Sequence, residues 1–284
     1  MTTHAERLSP PLVSVLRHAG LILGACVVVY PLLWMLGSSL KPEAEIFGTA
    51  SIWPTHWQFD NYAKGWNGLP GTFGGFFLNS AVVSTLAVIG NVSTCSFAAY
   101  AFARLRFAGR RLWFALMLGT LMLPYHATLV PQYVLFLHLG WIDTILPLVT
   151  PKFLAGDAFF IFLMVQFFRR LPRELDEAAE IDGCGPIGIY WKIILPLSTP
   201  VLATAGIFSF IWTWDDFFAP LIYLNTLDNY TVPVALSTFV DQTGEAAWGP
   251  LFAMSTLAVL PVFFLFLFFQ RLLIRGIATT GLRR

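Results

Sequence analysis

The chain contains 284 residues, of which 57% are hydrophobic and 12% are charged, and its formal net charge is +1. A soluble domain of average composition is about 45–50% apolar and about 25% charged, so this composition excludes a soluble globular enzyme and an intrinsically disordered chain. The small net charge gives no basic excess of the kind that indicates a nucleic-acid partner. The remaining class is a protein that crosses a lipid membrane several times.

Six stretches are long and apolar enough to cross a bilayer as helices, which takes about 20 residues. In chain order they are Gly20–Ser39, Phe77–Ala103, Leu112–Leu135, Thr144–Phe168, Pro200–Leu224 and Leu251–Leu273. Pro124 and Pro131 predict a kinked third span, because proline removes an intrahelical hydrogen bond. Prolines and charges also interrupt the fourth, which we expect to be one broken span. The expected fold class is an all-α polytopic membrane protein with six transmembrane helices.

The basic residues indicate the direction of these spans. With the N-terminus in the cytoplasm, fourteen of the 17 Lys and Arg residues lie on the inner side. Lys41 and Lys64 lie outside, and Lys152 lies within the fourth span. Because basic residues are retained on the cytoplasmic side, this asymmetry supports the span count. It predicts a multi-pass protein of the cytoplasmic (inner) membrane with both termini in the cytoplasm.

The spans divide the chain into four segments. Residues 1–19 form a cytoplasmic tail, and residues 20–76 contain the first span and a long external segment. Residues 77–273 form a core of five spans that includes a cytoplasmic loop at 169–199. Residues 274–284 form a second cytoplasmic tail.

The loop at 169–199 is the densest polar stretch and holds five of the 16 acidic residues. Glu174–Ile181 favours a helix, with acids in its first turn as the helix dipole prefers. Gly183 and its neighbours break that helix, and Ile187–Leu195 resumes an apolar helical pattern. Thr199 suits the N-cap of the fifth span. A connection between spans can be a few residues long, so a loop of this length with internal order indicates a docking surface.

The same loop carries a recognisable motif. Glu177-Ala178-Ala179 is followed after three residues by Gly183, and after nine more by Ile193, Leu195 and Pro196. This pattern resembles the EAA loop of binding-protein-dependent ABC importer permeases. Further positions are similar to the carbohydrate-uptake branch of that family and to its maltose-type six-span permease subunit. They are Asn79-Ser80, Ala98–Arg104, Met122-Leu123-Pro124, Pro131, Leu139-Gly140, Phe160–Met164, Trp214 and Pro220-Leu221.

The resemblance implies a type I ABC importer permease fold and a set of partners. These are a second permease subunit, two cytoplasmic ATPase subunits that bind ATP and Mg, and an external solute-binding protein. The second permease is expected to be a different chain, although a second copy of this chain stays open. In the family, the EAA helix sits in a cleft of the ATPase subunit and transmits its closure.

The residues agree with a role that depends on a separate ATPase. None of the four lysines follows a glycine, so the chain has no GxxxxGK[ST] phosphate-binding loop. We therefore expect neither a cofactor nor a metal in this chain. Our hypothesis is that Glu177 and Asp182 present carboxylates to basic groups of the ATPase, Ala178 and Ala179 permit close approach, and Gly183 supplies the turn. The alternative is that Glu177 is a solvated helix acid.

Candidates for the solute path lie in the fifth span. Asp215 and Asp216 come about 15 residues after Pro200, which places them about 22–24 Å along the helix. They are flanked by Trp212 and Trp214, and aromatic faces beside carboxylates suit a sugar. The family has Asn at the position of Asp215, which makes the role of that residue less secure. The alternative for both acids is a structural cap or an interhelical polar contact.

Other embedded polar residues have structural interpretations. Lys152 and Asp157 are five apart, so an ion pair between them would need a helix break. Asn91 and Gln132 are expected to form interhelical hydrogen bonds.

Two other function classes, a membrane enzyme and an ion-driven transporter, predict different sequence features. A membrane hydrolase or transferase would need catalytic motifs, and the sequence contains no HExxH or GxSxG, so we expect no catalytic residue and no enzyme. An ion-driven secondary transporter stays open because of the broken fourth span. Within the ABC class, a sugar or oligosaccharide is the expected solute, and a glycerol-phosphate-type solute is the alternative.

Overall fold

The computed structural model describes residues 10–242 and 247–281, and it shows side chains for most of them. Parts of both predicted tails, including Arg7, Arg283 and Arg284, lie outside the described residues. The described α-helices are α1 Pro10–Ser38, α2 Glu43–Ile46, α3 Asp60–Asn67, α4 Phe73–Arg104, α5 Arg110–Thr120, α6 Tyr125–His138, α7 Leu146–Val149, α8 Ala158–Phe168, α9 Glu174–Ile181, α10 Pro186–Ile189, α11 Leu195–Leu197, α12 Thr199–Trp214, α13 Phe218–Tyr223, α14 Val232–Gln242 and α15 Trp248–Gly281. Short 3₁₀ segments cover Thr150–Leu154 and Leu227–Asn229, and a π-helical turn covers Tyr190–Ile194.

Four helical stretches in the described part of the chain are long and apolar enough to cross a membrane. They are Ser14–Ser38, Phe73–Arg104, Leu146–Phe168 and Trp248–Gln270, which correspond to the first, second, fourth and sixth predicted spans. A fifth stretch qualifies if Pro186–Leu197 and Thr199–Trp214, which are bent by 77°, are taken together. The fold is therefore that of a polytopic all-helical membrane protein.

The predicted third span, Leu112–Leu135, is not one kinked helix. It is divided into α5 and α6, of 11 and 14 residues, by a break that ends at Pro124. Pro124 has an extended conformation and no N–H to continue the helix. Pro131, in contrast, lies inside α6 without ending it.

The predicted fifth span, Pro200–Leu224, is also two helices. α12 ends at Trp214 and α13 begins at Phe218. In a continuous helix the residue at position 220 would donate a hydrogen bond to the carbonyl of Asp216, and Pro220 has no N–H to do so. The N-cap of α12 is Ser198, the residue just before the helix. The predicted N-cap at Thr199 is therefore wrong by one residue.

The fourth span is broken as predicted. α7 is followed by the 3₁₀ segment Thr150–Leu154, and α8 resumes at Ala158. Between them, Ala155 adopts a left-handed conformation with a φ of 51°. The prolines that open both short segments account for this interruption, because they cannot donate to the preceding turn.

The chain forms two compact units by contacts. One contains Met1–Leu69 and Phe239–Leu257, and the other contains Pro70–Thr238 and Ala258–Arg284. This is a division by packing, whereas the sequence-based boundaries at 19, 76 and 273 follow expected topology.

In the first unit, close packing and buried polar bonds fix the segment after α1. A Cβ atom at Gly65 of α3 would lie 2.8 Å from the Cγ atom of Met254, so only glycine allows this approach. The Asn61 side chain donates to the carbonyls of Ser39 and Lys41, each at 3.0 Å. The buried Lys41 ammonium in turn donates to the Ser51 carbonyl.

In the second unit, α4 is the central helix and packs against α8 and α12. A Cβ atom at Gly90 would lie 2.9 Å from the carbonyl carbon of Lys152, so the broken fourth span lies directly on α4. Asn91 of α4 donates to the Ser209 hydroxyl of α12 at 2.9 Å, which confirms the predicted interhelical hydrogen bond. Small residues on α4 thus let its neighbours approach closely.

Candidate functional site: a coupling loop and a polar cavity

The first half of the loop at 169–199 folds as the sequence predicts. α9 covers Glu174–Ile181, the range that was expected. The Cys184 amide donates to the Ala179 carbonyl at 2.8 Å, and the Gly183 amide donates to the Glu180 carbonyl at 3.0 Å. This pair of bonds is a Schellman motif, which requires a left-handed residue after the helix. Gly183 has a φ of 82°, so it supplies the turn.

The second half of the loop is helical but irregular. α10 leads into the π-helical turn Tyr190–Ile194, and α11 follows. π-turns occur often at functional sites. Of the motif residues here, Ile193 and Leu195 are half-buried and Pro196 is exposed.

The surface of α9 separates the motif residues into two groups. Glu177, Ala178 and Asp182 are exposed, whereas Ala179 is only 6% exposed and belongs to the core formed by α4, α8 and the loop. Ala179 therefore packs α9 against the core of its own chain, whereas Ala178 is open. That the two alanines permit close approach of an ATPase stays a prediction. Beside the exposed group, Ile181 is 87% exposed.

Three side chains of α4 form hydrogen-bonded contacts with the loop at 169–199. The Ser96 and Tyr190 hydroxyls lie 2.7 Å apart, and the Tyr100 hydroxyl donates to the Pro186 carbonyl at 2.9 Å. Arg104 donates to the Leu171 carbonyl at 2.8 Å. This role was not predicted from the sequence, although the spacing i, i+4, i+8 marks one face of a helix.

Arg104 also forms an ion pair that joins α4 to α9. Its guanidinium lies 3.1 Å from the Asp176 carboxylate, and its side chain is only 4% exposed. Burial raises the pKa of Asp176 above its ordinary value, and the charge of Arg104 acts in the opposite direction. Removing one partner of such a shielded pair leaves a buried charge without compensation, which is costly.

A cavity of about 650 Å³ lies among the helices of the same unit, and its largely apolar wall carries several polar side chains. All three helix breaks described above reach its wall: Leu121 and Leu123 between α5 and α6, Gly156 between α7 and α8, and Asp216 between α12 and α13. Non-helical backbone at membrane depth is tolerated where it lines a cavity or is buried in protein. The three helix breaks thus lie at the wall of one cavity.

The cavity receives two of the four path candidates from the sequence. Trp212 and Asp216 line it, whereas Trp214 and Asp215 do not. Trp214 is 3% exposed and donates its indole N–H to the Ala258 carbonyl at 3.0 Å. Asp216 accepts a 3.3 Å hydrogen bond from the Ala219 amide and therefore also caps α13, as the alternative interpretation proposed.

Further polar groups face the same space. Lys152 and Asp157 line the cavity, and their charged atoms are 3.4 Å apart across the predicted helix break. Gln132 lines it as well and accepts a 3.3 Å hydrogen bond from the Tyr223 hydroxyl. Within the described residues, no group of three or more His, Cys, Asp and Glu side chains could hold a metal ion.

These features define a class of protein: a multi-pass membrane transport subunit with an ordered loop at 169–199 and a cavity that carries polar side chains. The chain belongs to the family of binding-protein-dependent transport system inner membrane components, which matches residues 92–279. This family supplies the membrane permeases of ABC importers, so the chain is a permease subunit and not an enzyme.

Characterised relatives cover most of the chain. It is 33% identical to the arabinooligosaccharides transport system permease protein AraQ of Halalkalibacterium halodurans, over 98% of this chain and 99% of the relative. It is 33% identical to the diacetylchitobiose uptake system permease protein NgcG of Streptomyces coelicolor, over 90% and 84%. It is 29% identical to the trehalose/maltose transport system permease protein MalG of Thermococcus litoralis, over 95% and 96%.

A solved structure supports the fold. A chain of a bacterial ABC transporter involved in the import of the acidic polysaccharide alginate superposes with a TM-score of 0.83 at 22% identity, covering 95% of this chain and 99% of that one. This agreement shows the type I ABC importer permease fold.

Proposed function

We propose that this chain translocates a sugar or oligosaccharide as one of two permease subunits of an ATP-driven importer. The observation that carries the proposal is the exposed EAA helix: Glu177, Ala178 and Asp182 are open to a partner, while Ala179 fixes the helix to the permease core. The relatives named above are permeases of oligosaccharide and disaccharide systems, which supports this solute class.

The partners follow from the same proposal. Two cytoplasmic ATPase subunits bind ATP and Mg, and one of them receives the exposed face of α9. An external solute-binding protein delivers the solute, and the second permease is a different chain. A second alginate transporter structure contains a periplasmic protein bound to an alginate pentasaccharide, which supports a partner of that kind. Both termini of this chain then lie in the cytoplasm.

The cavity supplies the path within this subunit. Trp212 offers an aromatic face to a sugar ring, and Gln132, Asp157 and Asp216 offer acceptors to hydroxyl groups. The described wall carries the carboxylates of Asp157 and Asp216 against the single ammonium of Lys152. This balance suits an uncharged hydroxylated solute better than a glycerol phosphate, because a phosphate would meet an excess of negative charge.

Charge reversal on α9 tests the proposal. In right-side-out vesicles from the native host loaded with Mg-ATP, Glu177→Lys should abolish ATP-dependent uptake of the transported member of a panel of maltose, trehalose, arabino-oligosaccharides and diacetylchitobiose. Membrane insertion should be unchanged, and co-purification of the ATPase should be weakened. The matched control is Glu174→Lys, which reverses an exposed acid on the same helix outside the motif. Undiminished uptake with Glu177→Lys would overturn the assignment.

A further inference from the structure

The contacts between α4 and the loop form a continuous stripe. Ser96, Tyr100 and Arg104 lie on one face of α4 and bind the loop at Tyr190, at Pro186, and at Leu171 with Asp176, respectively. The three contacts therefore reach the start of the loop, α9, α10 and the π-turn. A shift of the start of the loop, of α9, of α10 or of the π-turn relative to α4 would therefore strain one of these contacts.

Apolar side chains of α4, α8 and the loop pack together beside the stripe. Ala99 and Ala103 of α4 are buried with Phe168 of α8 and with Ile189 and Ile194 of the loop. Side chains in direct contact in such a close-packed region transmit displacement. An open apolar groove lined by Ser96, Tyr190 and Leu195 lies beside this region. The three hydrogen-bonded contacts fix the orientation of the loop relative to α4.

The same helix reaches the cavity and the opposite end of the unit. Val83 of α4 lines the cavity. Nearer the start of α4, the Asn79 amide donates to the carbonyls of Asp228 and Tyr230, and the Ser80 hydroxyl accepts from the Val232 amide. A helix of 32 residues is about 48 Å long at 1.5 Å per residue, so α4 joins regions that are far apart.

We propose that Ser96, Tyr100 and Arg104 are positioning residues that make the coupling loop and α4 move as one body, so that α4 carries loop displacement to the cavity wall. This inference rests on the proposed function. It differs from the docking role of Glu177, because the stripe does not face the ATPase. A variant in the stripe keeps the ATPase bound and loses only the transmitted motion.

Hydrogen exchange in the intact complex co-purified from the native host tests this proposal without knowledge of the solute. Mg-ATP plus vanadate is added, and amide exchange is followed in α4 and in residues 174–197. In the unaltered protein both segments should respond. With Arg104→Gln, the loop should still respond, whereas the response of α4 should fall by at least about twofold, because the variant loses both the ion pair to Asp176 and the bond to the Leu171 carbonyl. Arg104→Lys, which retains the charge, should restore part of the response.

Matched variants decide the outcome. Arg106→Gln removes an exposed arginine two residues away and should behave as the unaltered protein. Tyr100→Phe removes only one hydroxyl and decides the question if Arg104→Gln does not accumulate. An α4 response equal to that of the unaltered protein in both Arg104→Gln and Tyr100→Phe would overturn the inference. Loss of response in the loop itself would also overturn it, because the stripe would then serve docking. Either result leaves the Glu177→Lys experiment to judge the proposed function separately.

Discussion

The two ends of the packing around α4 differ in construction. Near Arg104, helices are continuous up to the loop, apolar side chains are buried, and Arg104 contacts the Leu171 carbonyl and the Asp176 carboxylate directly. Around the cavity, the third, fourth and fifth predicted spans are each interrupted, and polar side chains face open space. The difference teaches that one region is built to transmit displacement, whereas the other provides the broken backbone and polar wall that a passing solute needs.

The first prediction concerns the packed region near Arg104, where a core side chain can be truncated. Phe168 is fully buried beneath the loop, and Phe168→Ala should destabilise the protein by about 3 kcal/mol, because truncating a buried aromatic side chain leaves a cavity. The free energy of unfolding in detergent measures the effect. Phe268→Ala is the matched control, since Phe268 is 74% exposed and should change stability little. Equal effects of both substitutions would contradict the account of this core.

The second prediction concerns the cavity. Asp216→Asn keeps an oxygen that can accept from the Ala219 amide but removes the charge, and we expect ATP-driven sugar uptake to fall by about tenfold, equivalent to about 1.4 kcal/mol. Stability should change little. Asp215→Asn, just outside the cavity wall, should leave uptake within about twofold of the unaltered protein. A larger effect at Asp215 than at Asp216 would show that the path lies elsewhere.

The third prediction sharpens the description of the loop turn. Gly183 has a positive φ and open space around it, so Gly183→Ala should cost only the backbone strain of the left-handed conformation, about 1 kcal/mol. Gly185→Ala, at a glycine with a negative φ and open space, is the control. Thermal unfolding of both variants measures the difference. An equal loss at both glycines would exclude the specific turn.

The smallest effect is expected at the loop ends near α6 and α13. The Thr226 hydroxyl and amide, and the Asn225 amide, donate to the Asp143 carboxylate and lower the pKa of Asp143 well below its usual range. Its contribution is therefore complete above the ordinary pKa of Asp and is lost as the pH falls through the lowered folded-state pKa. Asp143→Asn should reduce stability at pH 7 by at most about 1 kcal/mol because the site is exposed, with a smaller difference in acid. Unfolding midpoints at several pH values measure it, and a difference that grows in acid would contradict the assignment.

The sequence predicts the loop better than it predicts the cavity. The helix at Glu174–Ile181 and the turn at Gly183 depend on neighbouring residues, and local chemistry decides both. The break at Asp215–Phe217 was missed because aromatic and aliphatic residues on both sides favour a continuous span. Only Pro220 signals it, four residues beyond the carbonyl that loses its partner.

Long-range contacts account for the remaining differences. The burial of Ala179, but not Ala178, depends on how α9 packs on α4, and no local pattern separates two adjacent alanines. The pairing of Arg104 with Asp176 joins residues 72 positions apart. Trp212 and Trp214 are two residues apart on α12 and so lie on nearly opposite faces of it, and of the two only Trp212 lines the cavity.

The central claim is that this permease is moved by a separate ATPase through the loop at 169–199, and the energy source of uptake tests it most directly. The complex co-purified from the native host is reconstituted into vesicles together with its external binding protein, and uptake of the panel sugars is measured with either internal Mg-ATP or an ion gradient as the energy supply. The account predicts uptake with Mg-ATP, none with an ion gradient alone, and loss of ATP-driven uptake with Glu177→Lys. Uptake driven by an ion gradient in vesicles that contain this chain without the ATPase would contradict it.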